Sequence, residues 1–390
     1  MHENTINQIT DPALMSIAEK VFAGARLSPE DGLTLLQSAD IYTIGRLANH
    51  VRQNLHGHTT YYNINRHLNY SNICALSCKF CAFHRKRDQD GAYEYDMDRI
   101  RKEAITALDA GATEMHIVGG LHPFLPFDYY TEMLSAIRET APNIHIKAFT
   151  AVEIVHLARI SKRPNDIEAV LQDLKEAGLG SLPGGGAEVF DDRVHDEAFK
   201  GKIRSDKWLD VHRIAHKLGL MTNATMLYGH IESLEDRVHH FTMLRDAQDE
   251  AINNNHAGRF QTIIPLPFIP DNSELQHLPG PSGLDNLKML AISRLMLDNF
   301  PHVKAFWIMQ TLPLAQIALD YGVDDMDGTV VWYDITKTEG QGTHQEVTPT
   351  TLKTAIIEAG YTPVERDTLY YPITRDGKDW QRAEESMLLS

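Results

Sequence analysis

The sequence predicts an α/β fold: a TIM-type (β/α)8 barrel with an N-terminal helical cap and a C-terminal extension. Three observations carry this reading. Extended and helical patterns alternate from residue 60 onward. The stretches between the extended pieces are long enough to be crossover helices. Eight such units need about 250 residues, which fits within a chain of 390.

The cap comes first. Residues 12–23, 29–36 and 40–55 place apolar side chains three and four apart, the helix period. Strands are then expected at 60–64, 114–118, 144–149, 180–182, 221–227, 261–266, 303–308 and 329–331. Helices are expected at 98–110, 126–139, 167–177, 207–218, 234–253 and 284–299. Residues 85–92, 277–283 and 338–343 read as loops, and a short helical pattern with Tyr370-Tyr371-Pro372 follows residue 348. The expected divisions are a cap at 1–59, a barrel at 60–335 and an extension at 336–390. Two doubly wound domains would show the same alternation and stand as the alternative.

Charge narrows the partners. The chain carries 53 acidic against 37 basic residues, a formal net charge of −16. Such a surface repels phosphate backbones and anionic bilayers, so neither nucleic acid nor membrane is an expected partner. No apolar run reaches the roughly 18 residues a membrane span needs. The opening Met1-His2-Glu3-Asn4-Thr5 is polar and unlike a signal peptide, and a cytoplasmic setting is expected.

The densest chemistry lies in Asn72-Ile73-Cys74-Ala75-Leu76-Ser77-Cys78-Lys79-Phe80-Cys81, which holds all three cysteines of the chain. An odd, crowded set is a poor disulfide framework and a good metal framework. Thiolates are the usual ligands of iron–sulfur clusters. Three of them cover three irons of a 4Fe–4S cubane and leave the fourth iron open to a chelating ligand. Zinc is the competing reading, with His84 as fourth ligand. Zinc sites usually draw on two separated knuckles, however, and no second CxxC exists. The loop follows the first expected strand, which sets it at the barrel's C-terminal mouth.

A carboxylate bound in a dry barrel mouth needs cationic or hydrogen-bonding partners. Arg66, His67, Lys147, Arg294 and Arg366 are the basic candidates considered, with His122 beside the second strand.

The CxxxCxxC loop, with Phe80 directly before its last cysteine, resembles the radical S-adenosylmethionine (SAM) superfamily. That resemblance implies a radical SAM type of barrel, a three-cysteine 4Fe–4S cluster, SAM on the open iron, and an electron donor such as flavodoxin or ferredoxin. It also implies SAM contacts. Gly119 and Gly120 stand where the superfamily commonly has Gly-Gly-Glu, with Leu121 replacing the acid. Gly229 and Glu232 match the end of a GxIxGxxE pattern in which Thr225 and Leu227 are substitutions. Phe80, Thr150, Glu153 and Glu188 are further candidate SAM contacts, Glu188 following the glycine run Gly184-Gly185-Gly186. Asn63-Ile64-Asn65-Arg66-His67, Gly119-Gly120-Leu121-His122-Pro123, Leu182-Pro183-Gly184-Gly185-Gly186-Ala187-Glu188, Thr222-Asn223-Ala224-Thr225-Met226-Leu227-Tyr228-Gly229-His230 and Arg294-Leu295-Met296-Leu297-Asp298-Asn299-Phe300-Pro301 resemble the futalosine-pathway enzymes of menaquinone biosynthesis. Their relatives in deazaflavin synthesis are also similar. Lys147-Ala148-Phe149-Thr150-Ala151-Val152-Glu153-Ile154 and Pro363-Val364-Glu365-Arg366-Asp367-Thr368-Leu369-Tyr370 are most similar to the synthase branch, which joins a 5′-deoxyadenosyl group to an aromatic enolpyruvyl carboxylate. The cyclase branch is the alternative. Arg66, His122, Arg294 and Arg366 are the candidate contacts for the carboxylates of such a substrate.

Overall fold

A computed structural model describes residue 9, residues 11–329 and residues 346–383. Three cap helices, Pro12–Phe22, Pro29–Gln37 and Ile41–His56, form where the apolar spacing places them. Each starts at a side chain that accepts a first-turn N–H: Asp11, Ser28 and Asp40. Leu14, Ile17, Leu35, Ile44 and Leu47 are buried, and Ile41–His56 packs on the later helix Gly283–Met296.

The strands are β1 (Thr59–Asn63), β2 (Asn65–Leu68), β3 (Glu114–Ile117), β4 (His145–Ala148), β5 (Ser181–Leu182), β6 (Met221–Tyr228), β7 (Phe260–Pro267), β8 (His302–Val303), β9 (Asp325–Gly328), β10 (Thr362–Glu365), β11 (Ile373–Asp376) and β12 (Asp379–Arg382). Strands β2 to β8 lie side by side in chain order, all parallel. The ring closes through β9. Ala305 N donates to Asp325 O (2.9 Å) on the β8 side, and on the other side Tyr61 N donates to Asp324 O (2.7 Å) and Thr329 N to Asn63 O (3.1 Å). β1 and β2 are one strand in which β1 faces β9 and β10, while β2 faces β3. Counting them together gives eight parallel strands in one closed sheet, which removes the two-domain alternative.

Helices Met97–Asp109, Phe127–Thr140, Ile167–Ala177, Ser205–Lys217, Leu234–Asn253 and Gly283–Met296 occupy the six expected crossovers. Where the fold departs from expectation, the causes are local. The expected strand 303–308 is β8 at His302–Val303, and Trp307–Gln310 turns helical. A short apolar run does not distinguish a strand from a buried helix. The expected strand 329–331 is β9 at Asp325–Gly328, where alternating aspartates hide the strand; positions 330, 331 and 338–343 lie outside the described residues. Helix Ala151–Ile160 went unread because seven of its ten residues are buried and its apolar side has no polar counterpart.

The C-terminal segment returns to the barrel. Helix Pro349–Glu358 leads into β10, which adds to β1, and β11 and β12 form an antiparallel hairpin. The residues just after β10 meet the lower barrel interior. Arg366 donates twice to Asp325 Oδ2 (2.9 and 2.6 Å), and Tyr370 stacks on His302 at 3.6 Å. Barrel interiors are usually filled by branched apolar side chains; here the lower interior is an ionic core.

Candidate active site

The upper end of the barrel opens into a cavity of about 290 Å³ lined by all three cysteines. Their loop is held by its backbone. Cys74 N donates to Arg85 O (3.0 Å), Lys79 N to Ala198 O (2.9 Å) and Cys81 N to Cys78 O (3.0 Å). Lys86 Nζ ties down the carbonyls of Cys74 and Leu76 at 2.9 and 3.0 Å. Two backbone amides, Leu76 N and Leu121 N, each lie 3.4 Å from Cys74 Sγ and donate to it. Donors aimed at sulfur stabilise a thiolate and tune a cluster bound to it.

The glycine turn is shaped by contact with that loop. A Cβ on Gly120 would sit 2.4 Å from Ile73 O and 3.1 Å from Cys74 Cβ; one on Gly119 would meet the Tyr70 ring at 2.6 Å. Glu153, buried at the cap of helix Ala151–Ile160, holds the same turn. Its Oε1 accepts from Gly119 N and Tyr70 OH, both at 3.0 Å, and its Oε2 from Thr150 N (2.8 Å) and Thr150 Oγ1 (2.9 Å). Burial pushes its carboxyl up to about 7, against these hydrogen bonds, which favour the ionised form.

Against that helix cap stand Gly184, Gly185 and Gly186, where a Cβ on Gly185 would sit 3.1 Å from the Thr150 methyl, followed by Glu188 at φ 49°. Glu188 pairs with Lys202, whose Nζ also lies 5.0 Å from the Phe80 ring centroid. Burial opposes the Lys202 charge, but Glu188 and the neighbouring Cys78 and Cys81 outweigh it and hold the ammonium above its usual range. Burial pushes the Cys78 thiol up to about 11, with Lys202 pulling the other way. Lys202 carried no sequence signal, since it lies in a loop, at Lys200-Gly201-Lys202, among other surface-like charges.

The structure sorts the sequence candidates. Cys74, Cys78, Cys81, Phe80, Gly119, Gly120, Thr150, Glu153 and Glu188 line the cavity. Gly229 and Glu232 do not. Glu232 instead accepts from Gly229 N and His230 N (2.6 and 2.9 Å) and pairs with Arg237 at 2.6 Å, fixing the turn after β6.

Among the basic candidates, four lie off the cavity. Arg66 donates to Asn65 O and Thr329 Oγ1 (3.0 and 3.3 Å). His122 Nε2 lies 2.7 Å from the Glu94 carboxylate, and its Nδ1 accepts from Phe124 N and Leu125 N. Arg294 and Arg366 are spent on Asp324 and Asp325 in the ionic core. Spacing along the chain cannot say which side of a sheet a cation faces. Lys147 and His67 do reach the cavity, together with His116, Lys304 and Asp327. The His67 and His116 rings stack at 4.6 Å, and burial drives both below the usual imidazole range, His67 to about 4.

The donor set fits a cluster better than a zinc ion. Thiolates on one zinc would stand about 3.8 Å apart. Among the described residues, the group whose ligand atoms all fall within 4.8 Å is His56, His302 and Asp324, not the cysteines. That other group is explained by hydrogen bonding: His56 Nε2 to Pro301 O (2.8 Å) and His302 Nδ1 to Asp324 (2.6 Å). His84 Nδ1 is engaged by Cys81 O at 2.9 Å.

A closed parallel barrel with CxxxCxxC at its mouth defines a radical SAM enzyme. Residues 68–244 match the Radical SAM superfamily, and residues 257–377 match the CofH/MqnC C-terminal region. The chain is 45% identical over 380 residues to aminodeoxyfutalosine synthase of Thermus thermophilus, covering 96% of this chain and 99% of that protein. It is 40% identical to the Streptomyces coelicolor protein of the same name, over 94% of this chain and 96% of that one. Cyclic dehypoxanthine futalosine synthase of Halalkalibacterium halodurans is 34% identical, over 96% and 98%. In fold the chain is similar to methylornithine synthase (TM-score 0.70, 17% identity, 89% of this chain and 97% of that one) and to the hydrogenase maturase HydG (0.71, 16%, 93% and 78%). The chain belongs to the radical SAM superfamily, in the family of the futalosine-pathway enzymes of menaquinone biosynthesis. Membership implies a 4Fe–4S cluster and SAM. Among the described residues no helix is long and apolar enough to cross a membrane.

Proposed function

We propose that this enzyme makes 6-amino-6-deoxyfutalosine from SAM and 3-[(1-carboxyvinyl)oxy]benzoate. The observation that carries the reading is 45% and 40% identity, along nearly the whole chain, to two aminodeoxyfutalosine synthases. Cys74, Cys78 and Cys81 would hold the cluster, and an external donor such as flavodoxin or ferredoxin would reduce it. Loaded with SAM, that group would supply the electron that releases a 5′-deoxyadenosyl radical. The radical carbon would bond to the substrate alkene; the adduct would rearrange through the ring to an alkoxyl radical, which would expel the enolpyruvyl carboxylate as the CO2 radical anion and leave a closed-shell ketone.

The protein's own part is placement and exclusion of water. Gly120 packs closely on Ile73 and Cys74, so the turn borders the cysteine loop, and its main chain would accept from the SAM amino group. Glu153 keeps that turn in place, and Thr150 orients Glu153. Glu188, steadied by Lys202, accepts from ribose hydroxyls, and the same ammonium lies over the Phe80 ring of the cysteine loop.

The test is anaerobic reconstitution with iron and sulfide, then reduction with SAM and the enolpyruvyl benzoate. The expected product has the mass of the neutral diacid substrate plus a deoxyadenosyl group less CO2H, and serine at any of the three cysteines abolishes it. Free 5′-deoxyadenosine as the sole nucleoside product would overturn the reading and favour a cyclase, to which the chain is 34% identical.

A further inference from the structure

The cavity floor holds two ammonium groups that the mechanism above leaves idle. Lys147 lies on β4 and Lys304 directly follows β8; their exposures are 2% and 3%. Lys147 Nζ donates to Glu114 Oε2 (2.8 Å) and Lys304 Nζ to Asp327 Oδ1 (2.7 Å). Among the described residues these are the hydrogen-bond acceptors each one finds. The next carboxylate oxygen near Lys304, on Asp325, is 3.9 Å away, beyond hydrogen-bond reach, and that aspartate is already committed to Arg366 and Tyr370. An ammonium has three donors, and both lysines border the cavity, so unused N–H groups face it.

The charges of the floor balance: Glu114, Asp325 and Asp327 against Lys147, Lys304 and Arg366. What the floor offers an incoming group is therefore spare donors on two fixed cations, an arrangement suited to a carboxylate. Height decides which carboxylate. His116 is in register with Lys147, and Gly119 lies three residues further along the same chain. At strand spacing that puts the lysines about 10 Å below the glycine turn. The wall residues Ile264, Leu266, Phe306 and Met309 give the cavity an apolar lining.

We propose that Lys147 and Lys304 together bind the ring carboxylate of the aromatic substrate, standing the ring between the apolar walls with its alkene toward the cysteines. This assignment rests on the reaction proposed above. It makes the two lysines specificity-determining residues. Neither takes part in the chemistry.

The experiment compares the enolpyruvyl benzoate with its ring carboxamide, which keeps the shape and loses that charge. In the wild type, kcat/KM for the acid exceeds that for the amide on the order of 10-fold or more, mostly through KM. Two double variants, Lys147→Gln/Glu114→Gln and Lys304→Gln/Asp327→Asn, each remove an ammonium together with its partner, so no charge is stranded. In both, the preference shrinks to within about 3-fold, with circular dichroism and iron content as in the wild type.

Calorimetric titration of acid and amide into reconstituted enzyme with SAM and no reductant reads the same ranking without turnover. Equal binding of acid and amide by the wild type overturns the proposal, whether or not the variants fold. So does an undiminished preference in both folded variants. A wild type that binds acid over amide yet forms no adduct overturns the reaction and leaves the clamp standing.

Discussion

At the scale of single residues, the site depends on how near two backbone segments can come. Gly120 has no positive φ; it is glycine because Ile73 O occupies the space of a Cβ at 2.4 Å. A carbonyl cannot rotate away as the end of a side chain can. Gly120→Ala is therefore expected to push the cysteine loop outward, costing about 1–3 kcal/mol in overpacking and lowering the iron retained after reconstitution. Gly283→Ala, where nothing lies within 4 Å, serves as control and changes neither thermal unfolding nor iron content. The glycine pair was legible in the sequence as a candidate SAM contact, but the backbone it packs against was not. Lys304 was illegible for a related reason: in Val303-Lys304-Ala305-Phe306 it reads as one polar residue in an apolar run, and only the barrel shows that it points inward.

At the scale of elements, the cap of helix Ala151–Ile160 joins two turns. Thr150 and Glu153 form a capping box, and Glu153 also receives Gly119 N from the neighbouring strand end. Thr150→Ala removes the cap hydroxyl and a donor to Glu153. Urea unfolding is expected to show a loss of about 1 kcal/mol, in line with other N-caps, and no loss would mean the helix start is held by packing alone. Of the elements, the long crossover helices were the most legible, and in Ile167–Ala177 one polar face against one apolar face gives a clear period. Residues 167–177 and 234–253 were placed to the residue. Elements buried all round, or built from alternating acids such as Asp325 and Asp327, carry no such contrast.

At the scale of the whole molecule, the ionic core makes stability depend on acid. Opposing burial, His56, His302 and Arg294 hold Asp324 below its usual range. Arg366 and Lys304 do the same for Asp325, and Lys147 and Lys304 for Glu114, again against burial. A carboxyl depressed in the folded state binds its proton more tightly when unfolded. Its contribution is complete above the ordinary values of 3.8 and 4.5 and is lost as pH falls through them toward the folded values. Glu153 runs the other way: raised to about 7, its contribution is present below 4.5 and is lost as pH rises toward 7. These carboxyls act together with buried histidines held below the usual imidazole range, among them His67, His116, His145 and His240, and outweigh Glu153; unfolding free energy is expected to decline below about pH 6.5 and to fall more steeply below about pH 4.5. A flat profile from pH 6 to pH 3 in denaturant titrations would contradict this account of the core.

The sequence alone determined what depends on neighbours along the chain. Three thiols stand within eight residues wherever the loop lies, strand and helix periods alternate visibly, and the acidic surplus is plain. The tertiary structure decided what depends on which strands lie side by side. It closed the ring through β9, turned Arg294 and Arg366 into core ion pairs, moved Gly229 and Glu232 off the cavity, and set Lys147 beside Lys304 although 157 positions separate them along the chain. A side chain's direction follows from strand register and barrel closure, and both arise from long-range hydrogen bonds that local spacing does not encode.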